Sequence, residues 1–314
     1  MEQSQKRQDM IKAAKLYYYG DMSQDEIAKL MGISRPKVSR LLAEARQLNI
    51  VQVSIHDNSD SLHQTAERIR EHFRLHSVTV VPSGNGEDAA KSNVGRAASE
   101  LLNSMLRERL KIGVSWGTTL SAFTREFKAK TPVPGALVVQ LIGGTYSKNL
   151  DMDARDQVKL LAEKLQCEAS LLHSPLLVSN PTLRELFMQE PAVMQHFRNV
   201  RELDVAFVGI GLTQVYQADY LTAEEAAQLR SEGFVADICG HPFLPDGSSP
   251  ENILTKRIVG VTPDELRRIP SVVGLCVGNR KVPSIQAAAR SGCVSTLIID
   301  EVAAIALMAA EQLV

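Results

Sequence analysis

The stretch MSQDEIAKLMGISRPKVSRLLAEARQLNI, residues 22–50, predicts two short helices joined by a tight turn. Ser23 and Glu26 form the S-x-x-E pattern of a capping box, in which the two residues satisfy each other's free backbone donors at a helix start. Gly32 ends this helix, because glycine adopts a left-handed backbone at little steric cost. Ser34 then caps a second helix, with Pro36 in its first turn, where a missing N–H costs little.

The apolar residues of this stretch are expected to face one another. Ile27, Leu30 and Met31 repeat at helical spacing and predict one buried stripe on the first helix. The inward face of the second helix is predicted to hold Val38, Leu41, Leu42 and Ala45. Ala28, Gly32, Val38 and Leu41 stand at the offsets of a helix-turn-helix, which needs a small residue, a turn glycine and two apolar residues at the crossing.

The outward face of the second helix is predicted to contact DNA. Its hydroxyl and cationic side chains are of the types that meet base edges and phosphates in the major groove. These side chains are Ser34, Arg35, Lys37, Ser39 and Arg40. An ordinary helical hairpin with a basic, solvated face is the alternative. The helix-turn-helix is favoured because capping, turn glycine, core spacing and basic face all agree with it.

The flanking residues extend this segment to a small domain. An earlier helix is predicted around Ile11 and Ala14, ending at Gly20, and Val51, Val53 and Ile55 alternate with polar residues as in a short strand or wing. The polar run DNSDS, residues 57–61, marks a boundary. We therefore predict a winged helix-turn-helix domain at residues 1–56 and a second domain at residues 57–314.

An amphipathic helix is predicted directly after this boundary. Leu62, Ala66, Ile69 and Phe73 follow at i, i+4, i+7 and i+11, which gives a narrow apolar seam. Such a seam pairs two subunits or packs on the same subunit, and the sequence leaves both open.

Composition narrows the class of protein. The chain has 314 residues, of which 44% are hydrophobic and 23% charged, as in an ordinary globular protein. No apolar run approaches the roughly 20 residues that span a bilayer, and the polar N-terminus lacks a signal peptide, so we expect a cytoplasmic protein without membrane contact. Four separated cysteines and seven histidines show no metal-ligand spacing. We read the histidines as surface or satisfied core residues and predict no metal and no cofactor.

Charge is distributed unevenly along the chain. The first 56 residues hold nine Lys and Arg against six Asp and Glu, although the whole chain has a net charge of −1. A modest basic head on a mildly acidic body suits local docking on phosphates.

The larger domain is predicted to be a doubly wound α/β fold. Short runs that are apolar throughout alternate with helical stretches, which is typical of parallel strands buried on both faces. The runs cover residues 78–81, 111–115, 136–142, 204–211, 272–278 and 295–300. Ligands of such folds bind beyond the carboxyl ends of the strands.

The segment GVSWGTTL, residues 113–120, is the main candidate for a ligand site. A strand ends at Ser115, Gly117 permits close backbone approach, and Thr118 and Thr119 begin a helix. Free N–H groups, the helix dipole and two hydroxyls would converge there on an anion such as a phosphate. The segment is neither a Walker loop nor a GxGxxG fingerprint, which disfavours a nucleotide. Plain helix capping is the alternative reading.

Further candidates follow other predicted strands. Gly143 and Gly144 follow one strand, Gly211 follows another, and Lys281 follows a third. Asp237, in FVADICGHPF, can accept hydrogen bonds from sugar hydroxyls or cap a helix. Together with the Gly-Thr-Thr turn, these residues predict a phosphosugar-like ligand.

At this point the sequence resembles the SorC/DeoR-type family of bacterial sugar-metabolism transcription regulators, and most of all its deoxyribonucleoside-type members. The likeness covers nearly the whole chain and is carried by LYYYGDMSQDEIAKLMGISRPKVSRLL, GVSWGTTL, VVQLIGG, DVAFVGIG, DICGHPF, GNRKVPSIQAA and LIIDEVAA. It implies an effector domain similar to phosphosugar isomerases and glucosamine-phosphate deaminases, without their catalysis. It also implies a phosphate on residues 117–119, with Lys281 beside it, Asp237 near the sugar, and dimers or tetramers on operator DNA.

One position departs from the resembled pattern. The deoxyribonucleoside-type members have a lysine immediately before the Gly-Gly pair, where an imine with an aldehyde sugar can form. Here the residue is Ile142, which forms no imine. We therefore expect non-covalent binding, with Ile142 pressing an apolar face on the ligand.

Two functions from different classes remain in view. The first is a transcription regulator, most often a repressor, that binds double-stranded operator DNA and is released by a phosphorylated sugar. The second is a phosphosugar isomerase or deaminase with an appended nucleic-acid-binding head. An enzyme needs a general acid and base in reach of the sugar, and only Asp237 is placed there. We therefore assign no catalytic residue and favour the regulator.

Overall fold

A computed structural model describes residues 2–20, 22–48, 50–51, 59–129, 131–144, 153–212 and 221–313. The chain divides into two compact units, Met1–Asp57 and Asn58–Val314. Val53 and Ile55, on which the predicted wing depends, lie outside the described residues.

The first unit consists of three described helices, α1 (Glu2–Tyr18), α2 (Gln24–Met31) and α3 (Arg35–Gln47). The predicted capping box is confirmed at the start of α2. The Ser23 N–H donates to Glu26 Oε2 at 2.7 Å, and the Glu26 N–H donates to Ser23 Oγ at 3.4 Å. Gly32 follows α2 with φ 65°, the left-handed conformation that the turn requires. These local signals therefore fix the turn between α2 and α3.

The three helices enclose a small apolar core. The predicted inward face of α3 is confirmed, since Val38 and Ala45 are fully buried and Leu41 and Leu42 nearly so. The predicted stripe on α2 is wrong at Leu30, which is 58% exposed. On a helix of 3.6 residues per turn, Leu30 lies about 110° from the centre of the face that Ile27, Ala28 and Met31 form.

The second unit alternates strands and helices. In chain order its elements are α4 (Ser59–Phe73), β1 (Ser77–Val81), α5 (Glu87–Met105), β2 (Lys111–Val114), α6 (Thr118–Glu126), β3 (Leu137–Gln140), α7 (Ala154–Leu165), β4 (Glu168–Ser170), α8 (Pro181–Gln189), α9 (Pro191–Arg201), β5 (Val205–Gly209), α10 (Ala223–Ser231), β6 (Ala236–Ile238), β7 (His241–Phe243), α11 (Pro263–Leu266), β8 (Ser271–Cys276), a 3₁₀ helix (Asn279–Lys281), α12 (Val282–Arg290), β9 (Thr296–Asp300) and α13 (Glu301–Ala310).

Seven of the described strands form one parallel sheet in the order β1-β9-β8-β5-β2-β3-β4. This confirms the predicted α/β class. Successive residues of a strand point to opposite faces, so Val205 and Phe207 belong to one apolar cluster and Ala206 and Val208 to the other. Both faces are covered, which explains why these strands are apolar throughout.

The direction of winding reverses between two central strands. From β2 the chain adds β3 and β4 on one side, whereas β5, β8 and β9 lie on the other side. The carboxyl ends of β2 and β5 therefore border the crevice where doubly wound sheets bind their ligands.

Three short strands are absent from the sequence prediction. β4 is an edge strand of three residues, and β6 and β7 form an antiparallel hairpin outside the main sheet. Cys239 and Gly240 join β6 to β7 with φ of 53° and 87°. Positive φ at both central residues is typical of a tight hairpin turn.

The helix α4 packs on its own unit. Ala66 and Ile69 are buried in the apolar cluster that also contains β-strand residues such as Ala206, and Leu62 and Phe73 pack against that cluster. Of the two readings of the apolar seam, packing within the subunit is therefore the one that the structure shows.

Burial lowers the pKa of two core histidines, His196 and His241, below the usual value. His196 lies between Ser170 Oγ, 2.8 Å from Nδ1, and the Gln140 carbonyl oxygen, 2.7 Å from Nε2, so Nε2 donates and Nδ1 accepts. His241 is 4% exposed, and neither ring nitrogen meets a hydrogen-bond partner among the described residues. Reading every histidine as a surface or satisfied core residue is therefore wrong for His241. Burial, helped by the Arg184 charge, lowers the pKa of His241 from 6.5 to about 4.

Because unfolded chains protonate this histidine near pH 6.5 and the folded chain does so only near pH 4, acid should destabilise the fold. The contribution of neutral His241 to the free energy of unfolding is complete above pH 6.5 and is lost as the pH falls towards 4. At 1.36 kcal/mol per pKa unit, this loss in the free energy of unfolding amounts to about 3 kcal/mol.

Urea unfolding of the full chain between pH 7 and pH 4.5 measures this effect. We expect His241→Gln to lose part of the pH dependence, whereas the exposed His63→Gln should retain it. Identical pH profiles for wild type and His241→Gln would refute the assignment.

Candidate ligand site

A cavity of about 300 Å³ lies at the reversal point of the sheet. Its lining includes Gly117, Thr118 and Thr119 from the turn after β2, and Gly209 and Gly211 from the turn after β5. The structure thus brings together segments that the sequence separates by about ninety residues, as the parallel topology requires.

Gly117 gives the turn after β2 its shape. It precedes α6 with φ 122° and ψ 160°, a conformation that is essentially restricted to glycine, and no side chain caps the helix. A Cβ added at Gly117 would meet no atom within 4 Å, so the backbone opens onto free space. The backbone donors at the start of α6 are therefore available to an anion in the cavity.

The three hydroxyl residues of this turn have different positions. Thr118 is partly exposed and Thr119 is 4% exposed, and both line the cavity. Ser115 is buried, and its Oγ accepts the Gly209 N–H at 3.3 Å. Ser115 thus ties the end of β2 to the end of β5 and does not line the cavity, although the sequence predicts it as a ligand contact.

Lys281 and Asp237 both reach the cavity from distant parts of the chain. Lys281 ends the 3₁₀ helix that follows β8 and supplies a cation. Asp237 lies in β6, 3% exposed, which excludes the helix-cap reading of this residue. The Gly211 N–H donates to the Asp237 carbonyl at 2.9 Å, and the Asp237 N–H donates back at 3.0 Å. This backbone pair holds the carboxylate beside the turn after β5.

The cavity has a second cation, Lys91, which the sequence pattern does not predict. Lys91 and Glu87 stand one turn apart on α5 and form an ion pair of 2.7 Å, with the Lys91 side chain 16% exposed. Trp116 and Leu275 add apolar lining. The run SGNGED before α5 is a further glycine-containing strand-to-helix turn, and it is the signal that points to α5 as part of the site.

Gly143 and Gly144, predicted to contact the ligand, do not line this cavity. Their N–H groups donate to the carbonyls of Val259 and Ser174 at 2.9 and 2.8 Å. A Cβ at Gly143 would lie 2.4 Å from the Pro175 carbonyl oxygen, so close backbone packing requires this glycine. The following residues, 145–152, lie outside the described part of the chain.

Ile142 also stands apart from the described cavity. Its side chain is fully buried in the apolar cluster, and its backbone pairs with Gly260. The expectation that Ile142 presses on the ligand is therefore not met in the described residues.

The predicted DNA-contacting residues all lie in the first unit and are all exposed, namely Ser34, Arg35, Lys37, Ser39 and Arg40. Arg35 forms only a loose pair with Asp25, 3.7 Å apart, in which both side chains are about two-thirds exposed. Arg40 Nε donates to the Pro36 carbonyl at 3.4 Å. The start of α3 thus presents a basic surface to solvent.

The described residues contain no group of three or more His, Cys, Asp and Glu side chains placed to hold a metal ion. None of their helices is both long and apolar enough to cross a membrane.

Comparison with protein families gives two matches. Residues 56–309 match the family described as "Putative sugar-binding domain". Residues 5–55 match a family described as protein of unknown function DUF134.

Individual relatives match along nearly their whole length. The deoxyribonucleoside regulator of Bacillus subtilis is 29% identical over 309 residues, covering 97% of this chain and 98% of the relative. The sorbitol operon regulator of Klebsiella pneumoniae is 27% identical over 313 residues, covering 96% and 97%. The crystal structure of the full-length sorbitol operon regulator SorC from Klebsiella pneumoniae superposes with a TM-score of 0.76 at 25% identity, covering 95% and 97%.

Proposed function

The chain belongs to the sugar-binding-domain family, and from that membership we propose that it is a transcriptional repressor. In this proposal, a phosphorylated sugar controls its binding to operator DNA. The relatives named above are a deoxyribonucleoside regulator and a sorbitol operon regulator. The proposal assigns DNA binding to residues 1–56 and effector binding and oligomerisation to residues 57–314. It places the protein in the cytoplasm, as a dimer or tetramer.

The observation that carries the effector assignment is the convergence of anion donors and a carboxylate in one cavity. Gly117, Thr118 and Thr119 offer backbone N–H groups and hydroxyls, and Lys281 and Lys91 offer two cations. Lys91 is paired with Glu87, so Lys281 adds the second cation beside these donors, and hydrogen bonds to charged groups are the stronger ones. Asp237, a buried carboxylate in the same cavity, accepts hydrogen bonds from sugar hydroxyls.

The assignment of DNA binding rests on the first unit. The left-handed turn at Gly32 and the buried crossing residues Ala28, Val38 and Leu41 support a helix-turn-helix. The N-terminal end of the second helix of this motif usually enters the major groove, which directs Arg35 and Lys37 to the bases.

Effector control requires that the sugar bind one state of the protein more tightly than the other. A ligand with equal affinity for both states shifts nothing. For a repressor, the phosphosugar binds the DNA-free protein more tightly, and a tenfold difference corresponds to about 1.4 kcal/mol.

The enzyme hypothesis finds less support in the cavity. Isomerisation or deamination needs a positioned acid and base with tuned pKa values. Among the described residues that line the cavity, the carboxylates are Asp237 and Glu87, and the Glu87 side chain is 70% exposed and paired with Lys91. A turnover assay on pentose and hexose phosphates separates the hypotheses, because a regulator binds these sugars and returns them unchanged.

Replacing Thr118 or Thr119 with alanine should weaken phosphosugar binding by about 0.5–1.5 kcal/mol or more each, since each loses a hydrogen bond to the charged phosphate. Isothermal titration calorimetry of the full chain measures the effect. Thr124→Ala is the matched control, because Thr124 lies on the same helix and its hydroxyl donates to the Ser121 carbonyl away from the cavity. Wild-type affinity in both Thr118→Ala and Thr119→Ala would leave the turn as a helix cap only.

A further inference from the structure

A cleft of about 700 Å³ lies in the second unit, apart from the cavity at the reversal point of the sheet. Its described lining comes from α8, the first residue of β7, the loop after β7 and the start of α11. It shares no residue with the described lining of that cavity. The β6–β7 hairpin contributes to both, with Asp237 in the cavity and His241 in the cleft. We call this second space the His241 cleft.

His241 gives the cleft a hydrogen-bond donor and an acceptor that are both unused. Its side chain is 4% exposed, and neither ring nitrogen has a hydrogen-bond partner in the described part of the chain. The nearby Val261 backbone raises the pKa of the ring slightly but makes no hydrogen bond of normal geometry with it. Buried polar groups without a partner are rare in folded proteins and point to a bound ligand or water.

Arg184 lies near this ring and has two nitrogens to spare. Its Nε donates to the Ile258 carbonyl at 2.6 Å, which fixes the guanidinium. Among the described residues, no hydrogen bond or ion pair occupies its two terminal nitrogens. The free nitrogens of a guanidinium match the two oxygens of a carboxylate. A carboxylate is therefore a ligand group that can use both Arg184 and the His241 N–H.

The hydroxyl groups of the cleft offer acceptors to a ligand. Ser249, Thr255 and Thr262 each donate to a neighbouring carbonyl or carboxylate oxygen, at 2.8, 3.0 and 3.0 Å. Since each hydroxyl has one hydrogen, only lone pairs remain for a ligand. A group that donates hydrogen bonds fits this part of the lining.

The charges of the lining limit the charge of the ligand. The carboxylates of Glu185, Glu251 and Asp264 outnumber the cations of Arg184 and Lys256. Lys256 is paired with Glu251 at 2.7 Å, so Arg184 is the cation that the described lining leaves for a ligand. A ligand with one negative charge therefore fits better than a dianion, because a second charge meets carboxylates without a further cation.

We propose that the His241 cleft binds a small monocarboxylic acid that also carries a hydroxyl or ammonium group, as hydroxy acids and amino acids do. Arg184 and the His241 N–H hold its carboxylate, and the acceptors of the lining hold its hydroxyl or ammonium hydrogens. The site is separate from the phosphosugar cavity and does not depend on the proposed function.

Propionate, lactate and alanine provide a matched test, because they share one carbon skeleton and carry hydrogen, hydroxyl or ammonium at Cα. Each is titrated into the full chain, and NMR of isotope-labelled histidine rings follows binding. The His241 signal is identified by its absence from His241→Gln. We expect lactate or alanine to shift it saturably and to bind about fivefold more tightly than propionate. The signal of His63, which is exposed on α4 and outside the cleft, should not move.

Replacing Arg184 with glutamine should weaken binding of the preferred acid about 10- to 100-fold, because the carboxylate loses its charged partner. Arg198→Gln is the matched control, since it removes an exposed arginine of α9 that does not line the cleft. Circular dichroism checks that both variants are folded. Tighter binding of alanine than of lactate assigns the site to amino acids, and the reverse order assigns it to hydroxy acids.

The wild-type titration is decisive by itself. A His241 signal that none of the three acids moves would show that water alone occupies the cleft, and the proposal would fail. Equal affinity for the three acids would contradict the role of the acceptors, and wild-type affinity in folded Arg184→Gln would contradict the position of the carboxylate. None of these results touches the proposed function, whose tests use other residues.

Discussion

Replacing Lys281 with alanine is expected to lower the affinity for the phosphosugar by about 10- to 100-fold. Lys281 lines the cavity at the reversal point of the sheet, and a hydrogen bond to a charged partner contributes about 1.5–3 kcal/mol. Calorimetric titration of the full chain measures the loss, and Lys281→Arg should recover part of the affinity. Lys256→Ala is the control, because Lys256 pairs with Glu251 and does not line this cavity. Undiminished binding by Lys281→Ala would contradict the position of the phosphate.

The double variant Arg35→Ala/Arg40→Ala should bind operator DNA at least about 30-fold more weakly, because each base- or phosphate-contacting arginine contributes about 1–3 kcal/mol. Both side chains are exposed, so folding and sugar binding should be preserved. Fluorescence anisotropy over a series of salt concentrations measures the affinity, and the slope against salt should also fall.

The matched control for this variant is Arg198→Ala/Arg201→Ala. It removes two exposed arginines from α9 in the second unit, so overall charge changes equally. Equal operator affinity of wild type and Arg35→Ala/Arg40→Ala would contradict the assignment of α3 as the recognition helix.

Local signals explain how much of the fold the sequence predicts. The capping box of Ser23 and Glu26 and the glycine after α2 act within a few residues, so reading them needs no tertiary information. The apolar strands of the main sheet are predicted equally well, because burial on both faces makes them apolar throughout. The prediction fails at Leu30, where spacing alone does not show which side of α2 the other helices cover, and at β4, β6 and β7, which have only three residues each.

The site was predictable only where topology brings strand ends together. The turn at Gly117, together with Gly211 and Lys281, follows central parallel strands, and the sheet gathers them in one cavity. Lys91 escapes the sequence reading because α5 follows the edge strand β1 and reaches the cavity only in three dimensions. Gly143 also follows a strand and is predicted to contact the ligand, but this glycine serves close backbone packing.

The most direct test of the account is whether a phosphosugar changes operator affinity through this cavity. The full chain selects its operator from random duplex DNA, and anisotropy then gives the Kd for that duplex with and without a saturating sugar monophosphate. We predict that the sugar raises the Kd at least about tenfold for wild type, or 1.4 kcal/mol, and that Lys281→Ala needs about 10- to 100-fold more sugar for the same rise. A wild-type Kd that no phosphosugar alters, or an equal response in Lys281→Ala, would contradict it.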